Sequence, residues 1–341
     1  SAKKTVEQLN ERYKDGDGEF ITRRIAKEDF GTNPCSEIIL RSREFCNLSE
    51  CVVRREDTRE SLKEKVRTAA ILGTFQSTLT EFKYLSREWK KNCEEERLLG
   101  VSLTGIMDNP LTNGSKKGLA ELLEELRNVA YETNKEWSEK LGIPTSAAIT
   151  CVKPSGTVSQ LVDSASGIHA RHNPFYIRTV RADNKDPLCK LMQDMEFPNE
   201  ADVTKPEHTT VFSFPMKTPK GAICRMDMTA LEQLELWKVY ATNWCEHKPS
   251  VTISVKEDEW VEVAAWVYEH FDSISGISFL PFSDHVYRQA PYQDCTEEEY
   301  KEALKTMPKN VDWAELSKYE SQDYTIASQE LACTAGGCEI I

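Results

Sequence analysis

LLGVSLTGIMD at residues 98–108, KKGLAELLEELRNVAYETNKEWSEKLG at 116–142 and AAITCVKPSGTVSQLV at 147–162 follow one another in the chain. The first is a dense apolar run of strand length. The second carries apolar residues at helical spacing, and the third is an apolar run that breaks at Pro-Ser-Gly-Thr into a helix start. A strand, a long helix and a second strand in this order imply parallel pairing with a crossover helix, because two parallel strands need a connection of that length. Outward from this unit the alternation continues. TNPCSEIIL (32–40) and FCNLSECVV (45–53) are expected to be short extended segments around a polar turn, and TRESLKEKVRTAAILGTFQSTLTEF (58–82) a helix with Thr58 as N-cap. Downstream, TVFSFPM (210–216), SVTISV (250–255) and GISFLPF (276–282) are expected strands, separated by helical patterns at 230–247 and 258–274. The pattern predicts an α/β fold, as a barrel or an open sheet. The polar stretch 183–210 is expected to be a surface excursion, and residues 1–32, charged and dotted with glycine, a lead-in segment.

The bulk properties narrow the function. The 341 residues can form one large α/β domain or two ordinary ones. The opening SAKKTVEQLNERYKDGDGEF has neither a signal peptide's apolar stretch nor its cleavage site, and a chain starting at Ser1 is expected to be a fragment or processed product. No run of about 18 apolar residues occurs, so a soluble, cytoplasmic protein without membrane contact is expected. A net charge of -13 opposes binding to a nucleic-acid polymer, which relies on clustered Lys and Arg. A small anionic substrate remains open, since backbone N–H groups bind phosphate whatever the global charge. Eleven cysteines without a secretion signal read as intracellular thiols, most of them buried small apolar side chains.

Three constellations stand out from that background. Asn33-Pro34-Cys35-Ser36-Glu37, with Cys46-Asn47-Leu48 after it, would in an extended segment put Asn33, Cys35 and Glu37 on one face. The alternative is a turn, for which Asn-Pro is a common start. Cys333-Thr334-Ala335-Gly336-Gly337-Cys338 sets two cysteines around four small residues near the chain end, a spacing that can close a ring reversibly. A zinc site is the alternative, but no second Cys or His pair stands at ligand spacing nearby, so no metal is expected there. Lys153-Pro154-Ser155-Gly156-Thr157-Val158-Ser159 lies between a strand and a helix start, where unpaired N–H groups favour phosphate. Capping alone would explain the same residues. His169, His172 and His285 are assigned no role, and Cys51, Cys93, Cys151, Cys189, Cys224, Cys245 and Cys295 are read as structural.

N-P-C-x-E-I followed by C-N-L resembles the cysteine finger loop of the ribonucleotide reductases, and the resemblance extends from about Gly31 to Ile341. It implies part of a ten-stranded α/β barrel with an internal finger loop: a lead-in at 1–32, the C-terminal half of the barrel at 33–325, and a mobile redox tail at 326–341. On that likeness Cys35 is the radical cysteine that takes the ribose 3′ hydrogen, Glu37 the base for the 3′ hydroxyl proton and Asn33 a holder of the ribose hydroxyls. Cys46 is one of two reducing thiols, whose usual partner lies upstream. Cys333 and Cys338 form the shuttle reduced by thioredoxin or a similar donor, and Pro154, Ser155, Gly156, Thr157, Val158 and Ser159 bind the substrate phosphates.

Within the family, the oxygen-dependent branch has adjacent tyrosines on a late barrel strand, where this chain has Gly276-Ile277-Ser278-Phe279-Leu280-Pro281 and no Tyr-Tyr pair. The anaerobic branch has a glycyl motif in its tail, whereas Gly336 and Gly337 stand between cysteines. The remaining branch depends on adenosylcobalamin and acts on ribonucleoside triphosphates, and it implies an upstream half of the same enzyme as partner. The alternatives are the large subunit of an oxygen-dependent diphosphate reductase and a simple thiol–disulfide exchange protein.

Overall fold

The computed structural model describes residues 29–282 and 288–320, which fall into two compact units. The first comprises, in its described part, residues 29–170 together with 221–223 and 227–282. It opens with an antiparallel hairpin of β1 (Phe30–Thr32) and β2 (Ile39–Arg41), closed by the pair Thr32↔Ile39, so residues 33–38 form its loop. Next come β3 (Asn47–Val52), α1 (Arg59–Gln76), α2 (Arg87–Glu96), β4 (Leu99–Thr104), α3 (Leu119–Leu141), β5 (Thr150–Cys151) and the short α4 (Val158–Leu161). After an interruption by the second unit the chain resumes with α6 (Ala230–Asn243), β9 (Val251–Val255), α7 (Trp260–His270) and β10 (Ile277–Pro281).

Strands β3, β4 and β5 are parallel in that order, and β9 pairs in parallel with β10. A parallel bridge between Val152 and Pro249 joins the two groups, with Val152 N–H donating to Lys248 O at 3.3 Å and Ser250 N–H to Val152 O at 2.9 Å. The order β3-β4-β5-β9-β10 is the parallel arrangement that the strand–helix–strand pattern predicts. No closed barrel is present among the described residues.

Helical spacing explains which faces are buried. In α1 the buried positions Leu62, Val66, Ala69, Ala70 and Gly73 form one stripe. Thr58 caps the helix in a reciprocal box with Ser61, as the sequence suggests, but the helix stops at Gln76 rather than running to Phe82. In α3 the stripe is Leu119, Leu122, Leu123, Leu126 and Ala130, and the two helices pack on each other over the sheet face carrying Cys51, Leu99, Val101 and Leu103. Parallel strands covered in this way read as continuous apolar runs, as β4 does. Helix α6 secures the other end of the sheet. Trp237 Nε1 donates to Pro249 O and Trp244 Nε1 to Cys151 O, each at 2.8 Å.

The second unit comprises residues 171–220, 224–226 and, in its described part, 288–320. It is an antiparallel sheet in the order β11-β6-β8-β7, from β6 (Phe175–Asp183), β7 (Asn199–Ala201), β8 (Thr209–Lys217) and β11 (Tyr292–Asp294). Helices α5 (Pro187–Asp194), α8 (Glu297–Thr306) and α9 (Leu316–Tyr319) complete it. Cys189, Phe197 and Phe212 form its small core. Two expectations are corrected here. The strand at 210–216 belongs to an antiparallel pair, and the 183–210 stretch holds a helix and a strand, because Cys189, Leu191 and Phe197 supply apolar anchors within an otherwise polar sequence.

Candidate active site

The hairpin loop 33–38 is built by its own backbone. Ser36 N–H donates to Asn33 O at 2.9 Å, Asn33 N–H to Ile38 O at 3.2 Å, and Ile38 N–H to the Asn33 side-chain Oδ1 at 3.0 Å. Ser36 sits at φ 62, in the left-handed region. The segment is therefore a turn and not the extended strand that would align residues 33, 35 and 37. The turn still brings two of these side chains together, since Asn33 Nδ2 donates to Glu37 Oε1 at 2.7 Å.

Glu37 is fully buried, and a second donor, Lys153 Nζ, reaches the same Oε1 at 2.8 Å. Its other oxygen, Oε2, is buried and has no hydrogen-bond partner among the described residues. A buried carboxylate with one oxygen doubly bonded and the other bare is an acceptor awaiting a donor. Burial pushes the Lys153 ammonium pKa down, but the hydrogen bond and charge of Glu37, aided by the nearby Cys35 and Cys151 thiols, outweigh it and hold the pKa above the usual lysine range.

The loop is held from outside by chain far downstream. Lys248 N–H donates to Glu37 O at 2.9 Å. His247, buried, accepts from Ile39 N–H at Nδ1 (3.4 Å), and its Nε2 lies 2.9 Å from Leu99 O, contacts that fit a neutral ring protonated at Nε2. A Cβ on Gly276, at φ 70, would lie 3.0 Å from Pro249 O and 3.3 Å from Ser36 O, so this residue lets the chain entering β10 pass close to the loop.

Cys46 immediately precedes β3. The register Leu48↔Gly100 and Ser102↔Cys151 places Leu48, Gly100, Ser102 and Cys151 on one sheet face. Gly100 leaves room there. A Cβ on it would stand 2.4 Å from Leu48 Cδ2, 3.0 Å from Cys46 Sγ and 3.4 Å from Cys151 Sγ. Cys35 and Cys46 are partly exposed and in no disulfide, whereas Cys151 is buried and its pKa is pushed far up, by burial first and then by the Glu37 charge. Cys51, on the opposite face, is pushed up to about 12, mainly by burial.

The turn after β5 is internally braced. Ser155 N–H donates to Ser166 Oγ at 2.9 Å, and Ser159 N–H to Ser155 Oγ at 3.0 Å. The Ser155 hydroxyl is thus committed to holding the turn, as the capping alternative requires. The N–H groups of Gly156 and Thr157 precede the four-residue α4, and Thr157 makes no side-chain cap. Lys153 N–H donates to Ser102 Oγ at 2.8 Å, tying the start of the turn to β4.

Of the other expected features, Cys333, Cys338 and His285 lie outside the described residues. His169 is structural: Nδ1 is 3.0 Å from Ser166 O, and Nε2 accepts from Thr252 N–H at 2.9 Å. In the second unit, His172 stacks on Tyr292 with its Nε2 2.7 Å from Asp294 Oδ1. Burial, then Arg225, push its pKa down to about 4 against the pull of Asp294. Sequence reasoning missed Lys153 and Cys151 at the site. Both lie in the quoted motif two residues apart, a spacing that puts them on the same side of an extended segment.

No family model matches the chain. It is 27% identical to the adenosylcobalamin-dependent ribonucleoside-triphosphate reductase of Lactobacillus gasseri, over 91% of this chain and 45% of that protein. With the enzyme of the same name from Euglena gracilis the identity is 29%, over 82% and 38%. Among solved structures it superposes on a B12-dependent (class II) ribonucleotide reductase with a TM-score of 0.73 and 25% identity, covering 86% of this chain and 44% of that one. The alpha subunit of the Actinobacillus ureae class Id ribonucleotide reductase shares the fold, at a TM-score of 0.53. The chain spans less than half the length of these curated relatives. In sequence and in fold, this chain is thus similar to adenosylcobalamin-dependent ribonucleotide reductases.

Proposed function

We propose that this chain carries the thiol and acid–base centre of a ribonucleoside-triphosphate reductase that uses adenosylcobalamin. The observation that carries the reading is Glu37: fully buried, held at Oε1 by Asn33 and Lys153, with Oε2 open, on the same six-residue loop as the partly exposed Cys35. Sulfur is the side-chain atom whose bond to hydrogen is comparable in strength to a ribose C–H bond, and a carboxylate within hydrogen-bond reach takes the hydroxyl proton. In this reading Cys35 removes the 3′ hydrogen and Glu37 Oε2 accepts the 3′ hydroxyl proton. Asn33 orients the ribose hydroxyls, and Cys46 is one of the two thiols that reduce the 2′ carbon. The balance is one ribonucleotide and two thiols to one deoxyribonucleotide, one water and one disulfide. Adenosylcobalamin, when bound, supplies the means of taking the hydrogen atom from Cys35. The partly exposed position of that thiol on a hairpin loop fits access by a large group.

Residues 154–159 form the subsite for the triphosphate, supported by the N–H groups of Gly156 and Thr157 at a turn braced through Ser155 and Ser159. Cys333 and Cys338 are the shuttle that restores the reduced thiols at the expense of thioredoxin or a similar dithiol. The five parallel strands are half of a ten-stranded barrel, with domain limits at 33–325 and the tail at 326–341, and an upstream half of the same enzyme provides the rest in the cytoplasm.

The test separates the two cysteines. With substrate and adenosylcobalamin, Cys35→Ser abolishes loss of tritium from the 3′ carbon, because a serine O–H bond is too strong to be opened. Cys46→Ser retains that loss and releases free base instead of deoxynucleotide. Base release from Cys35→Ser reverses the assignment, and normal product from Cys46→Ser removes Cys46 from the mechanism.

A further inference from the structure

Two donors converge on one oxygen of Glu37 while the other oxygen has none. We infer that Lys153 is a positioning residue for Glu37: with Asn33 it occupies Oε1, sets an opposite charge against the buried carboxylate, and so dedicates Oε2 to the substrate. The inference rests on the reductase reading for what the carboxylate does, but the pairing itself is independent of it.

Lys153 is suited to this by its anchorage. Its backbone N–H is tied to Ser102 Oγ on β4, and the chain turns after it into the 154–159 segment. Its ammonium bonds to a carboxylate with no exposure, while its own side chain keeps 33% of its surface open. A carboxylate removed from water loses its ionised form unless an opposite charge or donors compensate, and a cation in contact is the stronger compensation. Asn33 supplies a neutral donor. Lys153 supplies the charge. Among the described residues, the other titratable groups around Glu37 are thiols and groups committed elsewhere: Cys35 on its own loop, Cys151 on β5, the Lys248 ammonium, which donates to Ser273 O at 3.1 Å, and His247, engaged with Ile39 and Leu99. Lys153 also directly precedes the proposed phosphate turn, so a shift of the turn is passed to the Glu37 carboxylate through a single side chain.

The experiment uses the full-length protein and the variants Lys153→Met, Lys153→Arg, Glu37→Gln and the double variant Lys153→Met/Glu37→Gln, each checked for native circular dichroism. Infrared difference spectra between acid and neutral pH, without substrate or cofactor, read the carboxyl directly. In Lys153→Met a protonated-carboxyl band should persist at neutral pH, vanish in the double variant, and be absent from the Lys153→Arg and unaltered proteins. In turnover, the acidic limb of kcat/KM should move to higher pH by about 1–3 units in Lys153→Met, the span expected for losing an opposite charge beside a carboxylate. Lys153→Arg should bring it back. A merely structural lysine would lower activity evenly across pH and leave the infrared spectrum unchanged, which would overturn the assignment. If the unaltered protein reduces no ribonucleotide, the reductase reading fails, and the infrared comparison alone decides the pairing.

Discussion

Gly100→Ala tests whether the floor of the site is as tight as its geometry states. The added methyl carbon would stand 2.4 Å from Leu48 Cδ2 and 3.0 Å from Cys46 Sγ. Carbon atoms rest about 3.5–4.0 Å apart, so the leucine methyl must withdraw by roughly 1.1–1.6 Å. Leu48 is 40% exposed and can swing outward. Forcing it off its rotamer costs about 0.5–1.5 kcal/mol, while replacing a strand glycine by alanine returns about 0.5–1 kcal/mol. The two nearly cancel, and global stability should stay within about 1 kcal/mol of the unaltered protein. Cys46 has less freedom, with one rotatable bond and packing on the Leu98, Ala147 and Ala148 cluster, so its sulfur turns away from the β4 face. Urea denaturation should therefore show a near-native midpoint. Alkylation of Cys46, followed by peptide mass spectrometry, should change several-fold while Cys35 keeps its rate. In turnover the variant should release free base as the reducing thiol loses its place. A stability loss above about 3 kcal/mol, beyond ordinary overpacking, would show that Leu48 cannot yield. An unchanged Cys46 rate would show that the sulfur does not bear on Gly100.

Burial holds the His169 pKa below the usual range, with its hydrogen bond to Ser166 opposing. The unfolded chain thus takes up a proton near pH 6.5 that the folded state resists, so stability should fall as pH drops below about 6.5. Replacing His169 by Gln should flatten part of that slope in urea titrations between pH 7.5 and 5, and an identical slope would remove His169 as its source. For the tail, Cys333→Ser or Cys338→Ser should stop multiple turnover with thioredoxin but spare a single round of reduction, with small dithiols rescuing much of the loss. Unaltered thioredoxin-driven turnover in both variants would end the shuttle assignment.

Much of the parallel sheet was legible because β4 is an uninterrupted apolar run and α1 and α3 keep a clean apolar stripe. The loop 33–38 was legible as a set of residues but not as a shape. Asn-Pro and the positive φ at Ser36 make a turn, and Asn33 meets Glu37 through that turn rather than through strand alternation. Lys153 was invisible as a partner because the 116 positions separating it from Glu37 carry no local pattern that links them. The antiparallel sheet of the second unit escaped for a related reason: the apolar spacing of 210–216 specifies a strand, but the direction of its partner is set by the chain reversal between β6 and β8.

The clamp on the cysteine loop also dictates an order of assembly. Ile39 is fastened to a side chain 208 positions later, Glu37 to the residue after that, and Ser36 lies against Gly276. Contacts of such long sequence separation form late, since the intervening chain must close first. During synthesis from the N-terminus, the segment bearing Cys35 leaves the ribosome before residues 247–276 and waits for them to emerge. A nascent chain halted before His247 would hold every residue of the loop, and Lys153 to meet Glu37, but none of these three backbone fastenings, so the reactive thiol gains its full setting only after residues 247–276 are made.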